Sequence, residues 1–276
     1  MVQNVSVRCF LLVALLLTAS VSVGQDRVQV AKTIQGVGVT VIAGKSQGSG
    51  VLIARKLLCS DGKVRKYNFV LTCGHVVARA KQTVTEQHQQ YGDITYDRWE
   101  DMDIIHQVVT NGRISEIIKL KAKVILWSAS EETDNAGHDL ALLLVKGDRI
   151  IDTNTVFNCK DIADVGTNLF HVGSPKGQHQ SVTTGIMSFV GREVKFGKQV
   201  QYFDQACISA LPGSSGGGIF TEDGKYIGML VRQESENFNL LVPTRRIKMW
   251  ADLNKSSWIY DESQPRPTFD NLPKLK

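Results

Sequence analysis

The chain has 276 residues, 42% of them hydrophobic and 21% charged, with a formal net charge of +5. That length suffices for one large domain or two small ones around a buried site, and that balance excludes a disordered or membrane-embedded protein. The positive charge is not gathered into a block. Its densest stretch, Lys119 to Lys123, alternates with apolar residues as a strand with one solvated face does, so no nucleic-acid partner is expected.

In chain order, Arg8 precedes an apolar run from Cys9 to Leu17, followed by small residues ending at Ser22-Val23-Gly24. This reads as a signal peptide over 1–24, too short to span a bilayer, which predicts a secreted or periplasmic protein without stable membrane association after cleavage. Loss of Cys9 leaves Cys59, Cys73, Cys159 and Cys207, which form one of three possible sets of pairs or remain free thiols. No close CxxC pair points to zinc, and no metal or cofactor is inferred.

Short β-rich runs at spacings of roughly ten residues extend from about Val28 to Val242, the pattern of a sandwich or barrel. Val37 to Ala43 and Ser49 to Leu58 are followed by the turn Ser60-Asp61-Gly62-Lys63 into Tyr67 to Thr72. Lys81 to Asp103 is longer and more polar than a minimal barrel needs. Ile104 to Thr110 and Ile114 to Leu120 flank Asn111-Gly112, a strong hairpin signal, and Val124 to Ser128 and Leu140 to Val145 complete a first barrel. Lys146 to Lys160 suits a crossover. Asn168 to Val172, Ser181 to Val190, Gln201 to Ile208, Gly217 to Phe220, Tyr226 to Arg232 and Phe238 to Val242 supply a second set. One helix is predicted from Pro243 or Thr244, with Ile247, Trp250, Ala251 and Leu253 on one face. The expected units are therefore an N-terminal barrel at 25–150, a C-terminal barrel plus helix at 151–255, and a tail at 256–276 that drapes over the surface or is disordered.

The most informative segment is Leu211-Pro212-Gly213-Ser214-Ser215-Gly216-Gly217-Gly218. Glycines beside a hydroxyl let the backbone approach a substrate carbonyl, so the amides of Gly213 and Ser215 can form an oxyanion hole. The same letters fit the nucleophile elbow of α/β-hydrolases, which needs a histidine after the serine. His75, His88, His106, His138, His171 and His179 all precede Ser215, so the order is His…Asp…Ser. His75 is the chosen base, because the apolar run from Phe69 delivers it to a turn. His88, His106 and His138 read as solvent-facing, and His171, beside a Gly-Ser-Pro turn, is within reach of a cleft. Asp139 stands at the mouth of the run Leu140 to Val145, a setting that buries its carboxylate and calls for a hydrogen-bond donor such as an imidazole N–H. Asp93, Asp97, Asp101, Asp103 and Asp134 read as solvated.

With these segments in their order, the chain resembles chymotrypsin-fold serine proteases of the Deg/HtrA type over roughly Ile34 to Leu253. The motifs that carry the likeness are Gly48-Ser49-Gly50-Val51-Leu52-Ile53, Leu71-Thr72-Cys73-Gly74-His75-Val76, Asp139-Leu140-Ala141-Leu142-Leu143, Val172-Gly173-Ser174-Pro175-Lys176-Gly177 with Ser181 to Ile186, and Gly213-Ser214-Ser215-Gly216-Gly217. The resemblance implies an all-β fold of two six-stranded antiparallel barrels with a C-terminal helix. It places His75, Asp139 and Ser215 in the cleft between the barrels, where they cleave polypeptides through an acyl-enzyme. Ser214 stands where trypsin-like zymogens carry an aspartate, and the residues after the helix are too few for the PDZ domain usual in this type. By position relative to Ser215, Ser209 and Ala210 form the base of the primary pocket and Val231, Arg232 and Gln233 a wall. No acid lies among them, which favours a small or medium uncharged side chain, with Arg232 able to attract an acidic one. The alternative is a catalytically silent protease-fold binding protein.

Overall fold

The computed structural model describes residues 27–129, 137–160, 162–196 and 199–273. The signal-peptide segment 1–24 and Asp134 lie outside the described residues. A helix α1 at 27–37 leads into β1 (Gly38–Ala43), β2 (Ser46–Leu58), β3 (Val64–Thr72), the one-turn helix α2 (Gly74–Val77), β4 (Lys81–His88), β5 (Gly92–Trp99), β6 (Met102–Thr110), β7 (Arg113–Trp127) and β8 (Ala141–Val145). Six of these strands close an antiparallel barrel in the order β1-β2-β3-β8-β7-β6. A second closed antiparallel barrel follows, from β9 (Asn168–Gly173), β10 (Ser181–Phe196), β11 (Gln199–Ile208), β12 (Gly218–Thr221), β13 (Tyr226–Ser235) and β14 (Phe238–Pro243), in the order β10-β11-β14-β13-β12-β9. The all-β reading with two six-stranded barrels is therefore correct.

Local chemistry accounts for much of this. Asn111 and Gly112 take φ values of 52° and 73°, the left-handed pair that a two-residue hairpin turn requires, and they join β6 to β7. The run Ala141-Leu142-Leu143-Leu144-Val145 is buried at every position because β8 is held between β3 and β7 with both its faces covered. The runs read separately as Ile114 to Leu120 and Val124 to Ser128 are one strand, β7, irregular between Val124 and Leu126.

Two expectations need correction, those for the segment before β1 and for the C-terminal tail, while the polar segment lies outside the barrel as its surplus length suggests. The segment from Val28 to Val37 is helical: Val30, Ile34 and Val37 recur at helical spacing, and Ile34 and Val37 are buried. The polar stretch after Lys81 is a separate two-stranded arm, β4 with β5, whose base is anchored by an edge contact of Trp99 with Trp127 at 5.3 Å. The C-terminal tail belongs to the core. Helix α3 (Thr244–Leu253) buries Ile247, Trp250 and Ala251, while Leu253, expected on the same face, is exposed. Beyond it the chain returns to the first barrel, where Trp258 is fully buried and packs edge-on against Phe69 at 5.0 Å, and Phe269 stacks on Tyr67 at 4.5 Å.

A buried cation fastens this return. Arg55 of β2 donates from Nε to the Trp258 carbonyl at 2.7 Å, from Nη2 to the Ile259 carbonyl, and from Nη1 to Ala54 O at 2.7 Å. Burial pushes its guanidinium down to about 10, although Glu262 opposes the shift. The carbonyls of a segment without strand partners are thereby satisfied. Trp258→Ala is expected to lower unfolding stability by about 3–5 kcal/mol, as for other fully buried aromatic side chains. A urea titration giving less than about 1 kcal/mol would mean that the tail is not part of the folded core.

Candidate active site

Asp139 and His75 are brought together by the ends of two neighbouring strands. Helix α2 follows β3 directly and carries His75, whereas Asp139 precedes β8, the strand paired with β3. The segment before β8 is pinned by Asp139 N–H to Ala129 O at 3.0 Å and Ser128 N–H to Leu140 O at 2.8 Å. Asp139 takes a φ of 53°, a left-handed conformation that aspartate tolerates better than most residues. Its carboxylate is buried and accepts twice from the same residue: Oδ1 from the His75 backbone N–H at 2.7 Å, Oδ2 from Nδ1 at 2.7 Å. An ionised carboxylate only accepts, so Nδ1 carries the hydrogen and Nε2 keeps a lone pair. The imidazole is partly exposed, with 39% of its side-chain surface open.

Ser215 lies in the turn between β11 and β12, which is fastened to the first barrel. Ser49 N–H donates to Ser215 O at 2.7 Å, and Ser49 Oγ donates to Gly213 O at 2.7 Å while accepting from Ser174 N–H at 2.8 Å. The Leu230 carbonyl accepts from both Gly216 N–H at 2.8 Å and Cys73 Sγ at 3.3 Å, linking residues next to Ser215 and near His75. Gly213 and Gly216 take φ values of 98° and 88°, open to glycine and strained for other residues. Ser214, Gly216 and Gly217 donate their amides within the protein, but among the described residues no acceptor engages the N–H of Gly213 or Ser215. The Ser215 hydroxyl donates to Val231 O at 3.5 Å, the outer limit of a hydrogen bond, and among the described residues none joins it to the imidazole.

The comparisons with known proteins agree with this architecture. Residues 48–229 match the family model of the trypsin-like peptidase domain. The chain belongs to that family. It is 30% identical over 186 residues to a probable periplasmic serine endoprotease DegP-like of Pseudomonas fulva, covering 67% of this chain and 29% of that protein. It is 28% identical over 162 residues to the serine protease Do-like HtrA of Bacillus subtilis, covering 52% and 35%. The chain thus spans about a third of the length of the curated relatives it matches. Its fold resembles the crystal structure of the serine endoprotease from Yersinia pestis, with a TM-score of 0.55, 19% identity, and coverage of 84% of this chain and 66% of that one.

The remaining residues of this peptidase domain fall into place unevenly. Val231 is buried beside Ser215 through its carbonyl, Ala210 is buried, Arg232 is partly exposed and tied to Glu234 at 3.7 Å, and Ser209 and Gln233 are exposed. Sequence reading missed two polar groups there. The Thr183 hydroxyl donates to Ser209 O at 3.1 Å, and buried Asn239 donates to Ile208 O at 2.6 Å with its Oδ1 left without a partner. A polar residue within the apolar run Phe238 to Val242 was the available signal.

His106 corrects the expectation of a solvent-facing side chain. It shares a face of β6 with Met102 and Ile104 and is buried, with Nδ1 3.3 Å from Gly38 O. His138 is half-buried rather than solvent-facing, with Nδ1 enclosed and its backbone N–H donating to Ser128 Oγ at 2.7 Å, whereas His88 is exposed as expected. Cys59, Cys73, Cys159 and Cys207 form no disulfide. Cys73, His75 and Asp139 present donor atoms within 4.8 Å of one another, but Nδ1 and Oδ2 already satisfy each other, an arrangement that suits an acid–base pair.

His171 lies beneath the Ser215 turn, where a Cβ on Gly217 would come within 2.6 Å of its Nε2. It is fully buried, with Nδ1 3.3 Å from Thr183 Oγ1, and burial lowers its pKa to about 4. Between pH 6.5 and 4 the unfolded chain then binds more protons at this site than the folded one. Stability present above pH 6.5 is therefore lost as pH falls towards 4, by about 3 kcal/mol. Urea unfolding of His171→Leu at pH 7.5 and 4.5 is expected to show a correspondingly smaller acid loss than the parent. An equal loss in both would mean that His171 titrates as it does in the unfolded chain.

Proposed function

We propose that this chain is a serine endopeptidase that hydrolyses polypeptides through an acyl-enzyme, with His75, Asp139 and Ser215 as its triad. The observation that carries this reading is the Asp139 carboxylate buried against both the backbone N–H and Nδ1 of His75, on the barrel to which the Ser215 turn is tied. Asp139 orients the ring and stabilises the imidazolium, so Nε2 can take the Ser215 proton as Oγ attacks a peptide carbonyl. The unengaged amides of Gly213 and Ser215 then receive the developing oxyanion. The imidazolium protonates the leaving amine, and a water activated by the same base releases the acyl group. A serine hydroxyl turned to another acceptor and a His–Ser hydrogen bond that tightens only with substrate are usual for such sites.

The DegP-like relatives are named periplasmic, which supports a secreted or periplasmic location for this chain. Among the described residues no helix is long and apolar enough to cross a membrane. Ser209, Ala210, Val231, Arg232 and Gln233 remain the proposed primary pocket, now with Thr183 and Asn239 beside its base.

One observation favours the second reading, a silent binding protein: the Ser215 hydroxyl faces a carbonyl rather than the imidazole. A fluorophosphonate probe separates the two. The mature protein is expected to label, with labelling lost in Ser215→Ala; a folded chain that never labels would establish the silent form. Asp139→Asn is expected to stay folded and lose on the order of 10⁴-fold in kcat, since the wrong tautomer then faces the serine. Near-normal turnover by that variant would remove Asp139 from the mechanism.

A further inference from the structure

We propose that the groove between β10 and the β13–β14 hairpin is a subsite for an acidic side chain of the polypeptide substrate, with Arg192 as the group that binds its carboxylate. This rests on the reading of Ser215 as the nucleophile.

The groove begins beside that residue. Val231, whose carbonyl faces Ser215 Oγ, is followed by Arg232, and Arg232 lines a groove of about 690 Å³ together with Arg192, Lys195, Phe238 and the carboxylates Glu193 and Glu234, so that three cations face two acids. Strand β13 pairs with β12 only from Tyr226 to Met229, whereas its other edge stays on β14 as far as Ser235. From Val231 to Ser235 no described strand lies on the β12 side of β13. An extended substrate segment can add itself there as a further strand, with its side chains alternating into the groove.

Arg192 offers a buried donor that no acceptor among the described residues engages. Its guanidinium carbon lies 4.8 Å from the Phe189 ring centroid and 5.2 Å from that of Phe238, so two aromatic rings hold the cation. Nε is buried without a hydrogen-bond acceptor, and among the described residues no carboxylate pairs with this side chain. The contrast with other arginines of this barrel is direct: Arg245 is bidentate to Asp204, at 2.8 and 2.5 Å, and Arg232 reaches Glu234. Alternation along β10 leaves Arg192 and Val194 partly buried and Glu193 and Lys195 exposed; Glu193 also lines the groove, but it is open to solvent and among the described residues forms no ion pair with Arg192. A buried N–H without an acceptor is unfavourable until a ligand supplies one, and a stacked, planar guanidinium presents its donors in the fork that matches a carboxylate. The aromatic walls favour the methylene stem of glutamate over the shorter aspartate.

The test uses internally quenched peptides with both ends blocked, so that only side-chain carboxylates count. One neutral parent cleaved in a Ser215-dependent manner is varied by placing Glu or Gln at each of the four positions on either side of the scissile bond. At one of them the mature protein is expected to prefer Glu over Gln by roughly tenfold in kcat/KM, the ratio shrinking as salt rises. In Arg192→Gln that ratio is expected to approach one, and in Arg192→Lys to be intermediate, because the charge remains but the fork is lost. Fluorophosphonate labelling of each variant distinguishes a lost preference from a lost fold. If the parent peptide is cleaved but no position prefers Glu, or if the preference survives in Arg192→Gln, the subsite is refuted while the peptidase reading stands. If no peptide is cleaved and the mature protein does not label, the peptidase reading fails and the subsite with it.

Discussion

Ser49 holds the two halves of the site in register. The Ser215 turn belongs to the second barrel and the imidazole–carboxylate pair to the first, so their relation depends on what crosses between the barrels. Ser49, buried in β2 of the first barrel, donates its amide to the Ser215 carbonyl and its hydroxyl to the Gly213 carbonyl. Its own carbonyl accepts from Thr72 Oγ1 at 2.7 Å, two residues after Val70 and three before His75. Both carbonyls of the turn are thus consumed on the first barrel while the amides of Gly213 and Ser215 remain free. Loss of either bond leaves a buried carbonyl unsatisfied, a cost of about 1–3 kcal/mol that would favour reorganisation of the turn.

The same strand is fixed at its other end. Arg55, six residues along β2, binds the carbonyls of Trp258 and Ile259, so the C-terminal tail closes over the first barrel and β2 is anchored towards both tail and turn. A buried cation is tolerated there because backbone carbonyls replace its lost hydration. Tail and site therefore share one element: the strand that Arg55 ties to the tail is the strand that Ser49 ties to the Ser215 turn.

Much of the fold was legible because its signals are local. Asn111-Gly112 specified a hairpin through the left-handed backbone it accepts, and the leucine run after Asp139 specified a strand buried on both faces. The helix at 27–37 was misread because Val28, Val30 and Val37 favour strands by composition, although their spacing is helical. The tail was misread because Trp258 and Phe269 show no period: they fill positions against β3 set by that strand, not by their neighbours in the chain. His106 was judged by its polarity, when the register of β6 decided its burial.

The sequence by itself determined the barrel strands, the helix after Pro243 and the chain order of the imidazole, carboxylate and hydroxyl, because periodicity, turn chemistry and the lack of any histidine beyond Ser215 are properties of neighbouring or countable residues. Only the tertiary structure decided that Ser49 holds Gly213, that Thr183 and Asn239 satisfy the carbonyls of Ser209 and Ile208, and that Phe189 and Phe238 enclose Arg192. Ser49 and Gly213 are 164 positions apart. A hydrogen bond across that distance leaves no local pattern, since its partners meet only when two closed barrels have set their positions.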